Sequence, residues 1–334
     1  MNVPSAELGV AVVGAGIFGQ THIRVYQSIP RVKVVAVCDI NLDQARKTTA
    51  QFRIPIATSR IEEILANPEV RGVSVVTPEA HHREAVIQAL EAGRHVLCEK
   101  PLATNLDDAR AMCDAAKRTG RILMPAHVVR FVPKIVRAWK ELVKIGAVVS
   151  IHARRNRTMD LREPYLRSHP FLETGVHDID IIRWFIGKPA RRVYAVTRTV
   201  INAANPDLNW GIIEFEGGAV GVIETIWIVP KQSIETLVDA MHIVARHGTI
   251  DIRFDDDGMR IFSEEGIQIP HLGYWNESHS GFGGGMYEEI AYFLRCVDRD
   301  EQPTVIRPED GLEAVRIAKA LIESSERRAP VDLS

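Results

Sequence analysis

VAVVGAGIFGQTHIRVYQS, residues 10–28, joins a short β-rich apolar run to a segment of helical character through Gly14, Gly16 and Gly19. A bare G-x-G-x-x-G occurs in many loops. Between a strand and a helix each glycine acquires its own role, for Gly14 permits the tight turn, Gly16 lets backbone approach a pyrophosphate, and Gly19 allows helix to pack closely on strand. The helix N-terminus, beginning at Ile17 and Phe18, then faces the phosphates. A second β-rich run, Val32 to Cys38, ends in Asp39, about 20 residues beyond Gly19, where an acid accepts hydrogen bonds from an adenosine ribose and repels a 2′-phosphate. Asp39 also reads as a helix N-cap or loop acid, but the order strand, glycine loop, helix, strand, acid favours a dinucleotide, with NAD expected over NADP.

The alternation continues outward. Leu42 to Phe52 reads as a helix, Ile54-Pro55-Ile56 as a short strand, and Ser59 as the cap of a helix holding Ile61, Ile64 and Leu65. Gly72 to Val76 reads as a buried strand ending in Thr77-Pro78, followed by a helix that Gly93 stops. His95 to Cys98 is another strand, closed by Glu99-Lys100-Pro101; Thr104 then opens a helix that stops at Gly120, before a last strand, Arg121 to Met124. Such alternation implies a parallel, doubly wound sheet. The charged pair Glu99-Lys100 sits where such strands end at a ligand crevice, although a surface loop with a salt bridge has the same composition.

At 334 residues the chain exceeds the size at which a single core stops growing, so two domains are expected, 1–125 and 126–334. Lys+Arg 41 against Asp+Glu 43, a net charge of −2, gives no basic field for a nucleic acid. No apolar run is long enough to span a bilayer and the amino terminus has no secretory pattern, so a cytoplasmic protein is expected, with no membrane partner. Cys38, Cys98, Cys113 and Cys296 are widely spaced and read as small core residues.

Beyond Pro125 the pattern changes. A helical segment, Phe131 to Ile145, leads into β-rich runs at 147–153, 192–200, 210–215, 219–228, 241–245 and 249–254, which suggest a largely antiparallel sheet. Gly217-Gly218 fits a two-residue hairpin and FDDDG, residues 254–258, another turn. GFGGG, residues 281–285, precedes an amphipathic helix, Met286 to Val297, and reads as a flexible connection, because no strand comes before it. In SHPFLETGVHDIDIIRWFIGKP, residues 168–189, helical spacing puts Glu173, His177 and Asp180 on one face. A metal there would need another ligand and a pattern such as H-E-x-x-H, so none is expected. A core histidine bonded to Asp180 remains an alternative for His177.

Together, Gly14-x-Gly16-x-x-Gly19, Thr77-Pro78 with His82, Glu99-Lys100-Pro101 and Gly175-x-His177-Asp178-x-Asp180 resemble the Gfo/Idh/MocA family of glucose-fructose oxidoreductase and inositol dehydrogenase type. The last two motifs, in that order, are the more specific. The resemblance implies an N-terminal Rossmann NAD-binding domain and a C-terminal α/β domain with a large, mostly antiparallel open sheet that often makes subunit contacts, hence a homodimer or homotetramer. It implies hydride exchange between NAD(P) and a hydroxyl of a sugar, cyclitol or related polyol. It places Lys100 beside the reacting hydroxyl and makes His177 the catalytic histidine. Glu173 stands where many members carry aspartate, keeping a carboxylate with one more methylene.

On this reading His177 accepts the hydroxyl proton, Glu173 or Asp180 orients its ring, and Lys100 stabilises the developing alkoxide; the two proton-handling roles are interchangeable. Thr77, Pro78, His82, Glu99 and Lys100 line the cofactor side, and the Lys100–Pro101 bond is a candidate for cis. Arg130, Arg155, Arg157, Tyr165, His169 and Trp275 are candidates for contacting substrate hydroxyls or a carboxylate. Two other functions fit the same fold: transient oxidation by tightly held NAD, as in glycoside cleavage, and dinucleotide sensing without catalysis. A sensor has no need of Lys100 and His177.

Overall fold

The computed structural model describes residues 7–159, 167–201, 204–230, 237–254, 261–263, 266–268, 276–278 and 281–333. Its first strand, β1 (Leu8–Val13), is buried along its whole length, as a strand covered on both faces requires. Helix α1 (Ile17–Ser28) follows the glycine loop and turns Gly19, His22, Ile23 and Tyr26 inward, a helical i, i+3, i+4, i+7 face. Next come β2 (Val32–Cys38), α2 (Leu42–Phe52), β3 (Ile56–Thr58), α3 (Ile61–Leu65), β4 (Val70–Val75), α4 (His82–Glu91), β5 (His95–Glu99), α5 (Leu106–Thr119) and β6 (Leu123–Ala126). Asn41 caps α2 by accepting from the Asp43 and Gln44 amides. The cap of α5 is Asn105, which accepts from the Asp108 amide, and not the expected Thr104; α3 starts at Arg60 with no side-chain cap, and not at Ser59. Gly120 ends α5 in the left-handed region.

All neighbouring pairs in this sheet are parallel, in the order β3-β2-β1-β4-β5-β6. The order reverses between β1 and β4. Connections leave those two strands in opposite directions and open a crevice at their carboxyl ends. The glycine loop leaves β1, Thr77 follows β4 and Glu99 closes β5 on that same edge of the sheet.

The second sheet is mixed. After α6 (Pro133–Ile145) the chain forms β7 (Val148–Arg157), the short α7 (Pro170–Glu173), α8 (Gly175–Ile186), β8 (Ala190–Arg198), β9 (Leu208–Phe215), β10 (Val220–Ile226), β11 (Leu237–Ala245) and β12 (Gly248–Arg253). Small ladders follow, β13 (Ile261–Ser263) with β14 (Gly266–Gln268) and β15 (Asn276–Ser278) with β16 (Gly281–Gly283). Then come α9 (Gly284–Arg299), α10 (Pro308–Arg327) and β17 (Val331–Asp332). The seven-stranded order is β12-β11-β7-β10-β9-β8-β17, antiparallel throughout except for β7 with β10. Gly217 and Gly218 both take φ +87 in the hairpin between β9 and β10, a conformation side chains resist.

The chain divides into two compact units, Met1–Phe131 with Trp275–Glu313 and Val132–Tyr274 with Ala314–Ser334. The expected single cut at 125/126 is displaced because the chain returns to the first core. Phe293 of α9 covers Gly72, where a Cβ would lie 3.3 Å from the Phe293 ring. Tyr292 meets Phe131 with ring centroids 5.5 Å apart, and Arg71 donates to the Val297 carbonyl at 2.7 Å. GFGGG is likewise not a free connection: its first three residues form β16.

Candidate active site

Within the first unit the glycine loop is fixed by its neighbours. Gly14 has φ +109, and a Cβ there would sit 2.7 Å from the Val76 carbonyl oxygen; one on Gly19 would sit 1.9 Å from the Gly14 carbonyl oxygen. A Cβ on Gly16 would meet nothing within 4 Å. Gly16 is also the N-cap of α1 and offers no side-chain acceptor to its first amides. Ile17 and Phe18 stand exposed beside it. The Ala15 carbonyl accepts from Gln44 at 3.0 Å and Gln20 at 3.3 Å, so the loop is held on its far side.

Asp39 reaches back to this loop. One carboxylate oxygen accepts from the Ala15 amide at 2.7 Å and the other from the Asn41 amide at 2.9 Å. Each oxygen retains capacity for a further donor such as a ribose hydroxyl. Beside Gly14, the buried Thr77 hydroxyl oxygen has no hydrogen-bond partner within the protein. An open Gly16, an uncapped helix end, an acid closing β2 and an orphaned hydroxyl fit a dinucleotide.

His82 is not placed to line the cofactor. It is 1% exposed, with Nε2 2.9 Å from the Thr77 carbonyl and Nδ1 3.1 Å from that of Pro101. It therefore ties the loop after β4 to the loop after β5. Burial pushes its pKa down against carbonyls that favour the protonated ring. Pro78 begins the turn leading to it.

At the end of β5, Glu99 accepts from its neighbour's amide, Lys100 N–H, at 3.1 Å, and from His22 Nε2 at 3.1 Å. Burial works against the Glu99 charge, but the His22 hydrogen bond, Lys100 and its amide outweigh it and hold the carboxyl below its usual range. The Lys100–Pro101 peptide is cis. His22, Ser74 and Tyr26 escaped the sequence reading. The signal for His22 and Tyr26 was the inward helical face Gly19, His22, Ile23, Tyr26; Ser74, within the buried strand β4, carried none of its own.

The second unit holds Glu173, His177 and Asp180. They do not share one continuous helix: α7 ends at Glu173 and α8 starts at Gly175, with Thr174 at φ −112 between them. Glu173 and Asp180 are buried and His177 is half-buried. Arg155 clamps Asp178, the residue after His177, with 3.0 and 2.8 Å hydrogen bonds, and also donates to Asp239 at 2.8 Å. Arg157 pairs with Asp239 as well. Both arginines are thus taken up in buried ion pairs, Arg155 holding the first turn of α8 on β7 and Arg157 joining β7 to Asp239 of β11, which corrects their expected role as substrate contacts. Arg130 is corrected likewise: it is 2% exposed and donates to the Val305 carbonyl at 2.6 Å and to Asp310. His169 caps α7, Nδ1 accepting from the Phe171 amide at 3.2 Å, and burial brings its pKa down to about 4. Tyr165 and Trp275 lie outside the described residues. Among the described residues no cluster of His, Cys, Asp and Glu could hold a metal, and no helix is long and apolar enough to cross a membrane.

Two family descriptions match this chain: "Oxidoreductase family, NAD-binding Rossmann fold" over residues 8–127 and "GFO/IDH/MocA C-terminal domain" over residues 136–251. The chain belongs to the Gfo/Idh/MocA oxidoreductase family. This Gfo/Idh/MocA chain is 26% identical to the myo-inositol 2-dehydrogenase of Thermotoga maritima, over 97% of its own length and 98% of that protein. It is 28% identical to D-xylose 1-dehydrogenase (NADP(+)) 2 of Haloferax volcanii, over 95% and 99%. Among solved structures, GenD2 from gentamicin A biosynthesis in complex with NAD superposes with a TM-score of 0.83 at 26% identity, over 98% and 97% of the two chains. The first unit is an NAD-binding Rossmann domain of an oxidoreductase.

Proposed function

We propose that this chain is an NAD-dependent dehydrogenase acting on a secondary hydroxyl of a sugar, cyclitol or related polyol, or on the matching ketone. The observation that carries the reading is Lys100: a lysine at a strand's carboxyl end, on the same sheet edge as the glycine loop, with its amide held by Glu99. Relatives named for myo-inositol and D-xylose support a polyhydroxylated substrate.

NAD, when bound, supplies the hydride acceptor. Gly14, Gly16, Gly19 and the first amides of α1 hold its phosphates, Asp39 its adenosine ribose, and Thr77 offers a further hydrogen bond. Lys100 donates to the substrate oxygen and stabilises the charge that grows there. In the second unit, Arg155 through Asp178 keeps the first turn of α8, which carries His177, in place, and the family resemblance supports His177 as a proton-handling group with Glu173 or Asp180 as the carboxylate that orients it. Tyr194 and Val196 on β8 with Trp210 and Ile212 on β9 form an exposed apolar sheet face, which supports a homodimer or homotetramer joined there. The four free, buried cysteines accord with a reducing cytoplasm.

Inositols, aldoses and sugar acids offered with NAD, and separately with NADP, test the reading by absorbance of the reduced cofactor. Turnover of a cyclic polyol or sugar is expected. No turnover across the panel, with NAD binding intact, would remove the dehydrogenase assignment.

A further inference from the structure

We propose that His22 is a positioning residue for the reaction, acting through Glu99 on Lys100. The inference rests on the reading of Lys100 given above and extends it to α1, the helix that follows the glycine loop.

Glu99 as a carboxylate can only accept, so His22 Nε2 carries the proton between them, at 3.1 Å. On the ring's other side Nδ1 lies 3.1 Å from Ser74 Oγ, and Ser74 Oγ lies 2.6 Å from the Tyr26 hydroxyl. Tyr26 is fully buried, and burial with the nearby Glu289 keeps its phenol protonated. Its O–H can therefore donate to Ser74, whose own O–H can in turn donate to His22 Nδ1. With a neutral His22 every proton in the chain has an acceptor: Tyr26 to Ser74, Ser74 to His22, His22 to Glu99.

The chain ends at the second Glu99 oxygen, which accepts the Lys100 amide. Without His22 that carboxylate would hold only the amide of the next residue, a local contact that leaves its own rotamer undefined. With His22 it is anchored to α1, the helix whose start is the glycine loop. The groups facing Glu99 are His22 from α1, Lys100 from its own strand end and, farther off, His82 from α4. His22 is the donor among them that bonds its carboxylate from another element.

The test uses full-length His22→Ala, His22→Gln, Ser74→Ala and Lys100→Ala, assayed with NAD and the polyol turned over fastest by the unaltered protein. NADH affinity by calorimetry and melting temperature are measured in parallel. His22→Ala is expected to lower kcat by about 10- to 100-fold, the scale of one charge-assisted hydrogen bond, with NADH affinity within about threefold. The acid limb of its pH profile should move up, because Glu99 loses a donor to its charged form. His22→Gln, whose amide N–H can reach the carboxylate, should recover most of the rate, and Ser74→Ala should show a smaller loss. Unchanged kcat and pH profile in His22→Ala would overturn the inference. So would equal losses in the Ala and Gln variants that track melting temperature alone. If Lys100→Ala also turns over normally, the reading of the site falls as well; if Lys100→Ala collapses while His22→Ala does not, only the role of His22 falls.

Discussion

Replacing Gly16 by alanine separates cofactor binding from folding. Gly16 sits at φ −71 and ψ −169, extended backbone that alanine adopts freely, and its added methyl meets no protein atom within 4 Å. Losing glycine at the helix N-cap costs roughly 0.5 kcal/mol, while reduced freedom of the unfolded chain returns about 0.4–1 kcal/mol. The melting temperature should therefore move by no more than about 2 °C. The methyl would instead occupy the place where backbone approaches the pyrophosphate, and NAD affinity by calorimetry should fall about 10- to 100-fold, or about 1.4–2.8 kcal/mol. Gly19→Ala supplies the contrast. Its Cβ would lie 1.9 Å from the Gly14 carbonyl oxygen, and Gly14 is itself pressed on Val76, so the loop cannot yield. Destabilisation on the order of 3 kcal/mol or more should follow. Unaltered NAD affinity in Gly16→Ala, or a loss of stability matching that of Gly19→Ala, would refute the assignment of this loop.

Asp39→Ala should narrow the preference for NAD(H) over NADP(H) in calorimetric titrations, because it removes the charge that repels a 2′-phosphate; equal affinities in the unaltered protein would sink the NAD preference. His95 accepts the Ile122 amide on Nδ1 at 3.2 Å, and burial, then Arg121, pushes its pKa down to about 4. The unfolded chain, with histidine near 6.5, binds the extra proton first as pH falls, so stability should be full above pH ~6.5 and decline toward pH ~4, by about 3 kcal/mol from this residue. His95→Gln should flatten that decline in denaturant titrations. Light scattering should return a dimer or tetramer mass, and Trp210→Glu on the exposed sheet face should shift it toward monomer; a monomer mass for the unaltered protein would reject the interface.

The first sheet was legible because its signals are local. Each glycine of the loop is explained by atoms within a few residues or on the adjoining strand, and Asp39 is announced by the strand it closes. Gly120 and the Gly217-Gly218 pair declared their own φ angles. What the sequence hid depends on partners distant along the chain. Arg155 looked like a substrate contact until Asp178 and Asp239, from a helix and another strand, were found around it. Arg130 was hidden in the same way by Asp310 and Val305. The apolar face of α9 declares that it is buried but not in which unit, so its return to the first core was not readable. The break at Thr174 hid inside a helical periodicity that continues across it.

His177→Ala, assayed alone, should lower the rate of NADH formation by roughly 10²- to 10⁴-fold with NAD affinity nearly constant, and normal turnover there would return His177 to the core of its own unit. The central proposal is that Lys100 serves the reacting hydroxyl of a polyol dehydrogenase, and single-turnover kinetics of Lys100→Ala test it most directly. The same loss of roughly 10²- to 10⁴-fold with NAD affinity nearly constant is expected, and normal turnover in Lys100→Ala would contradict it.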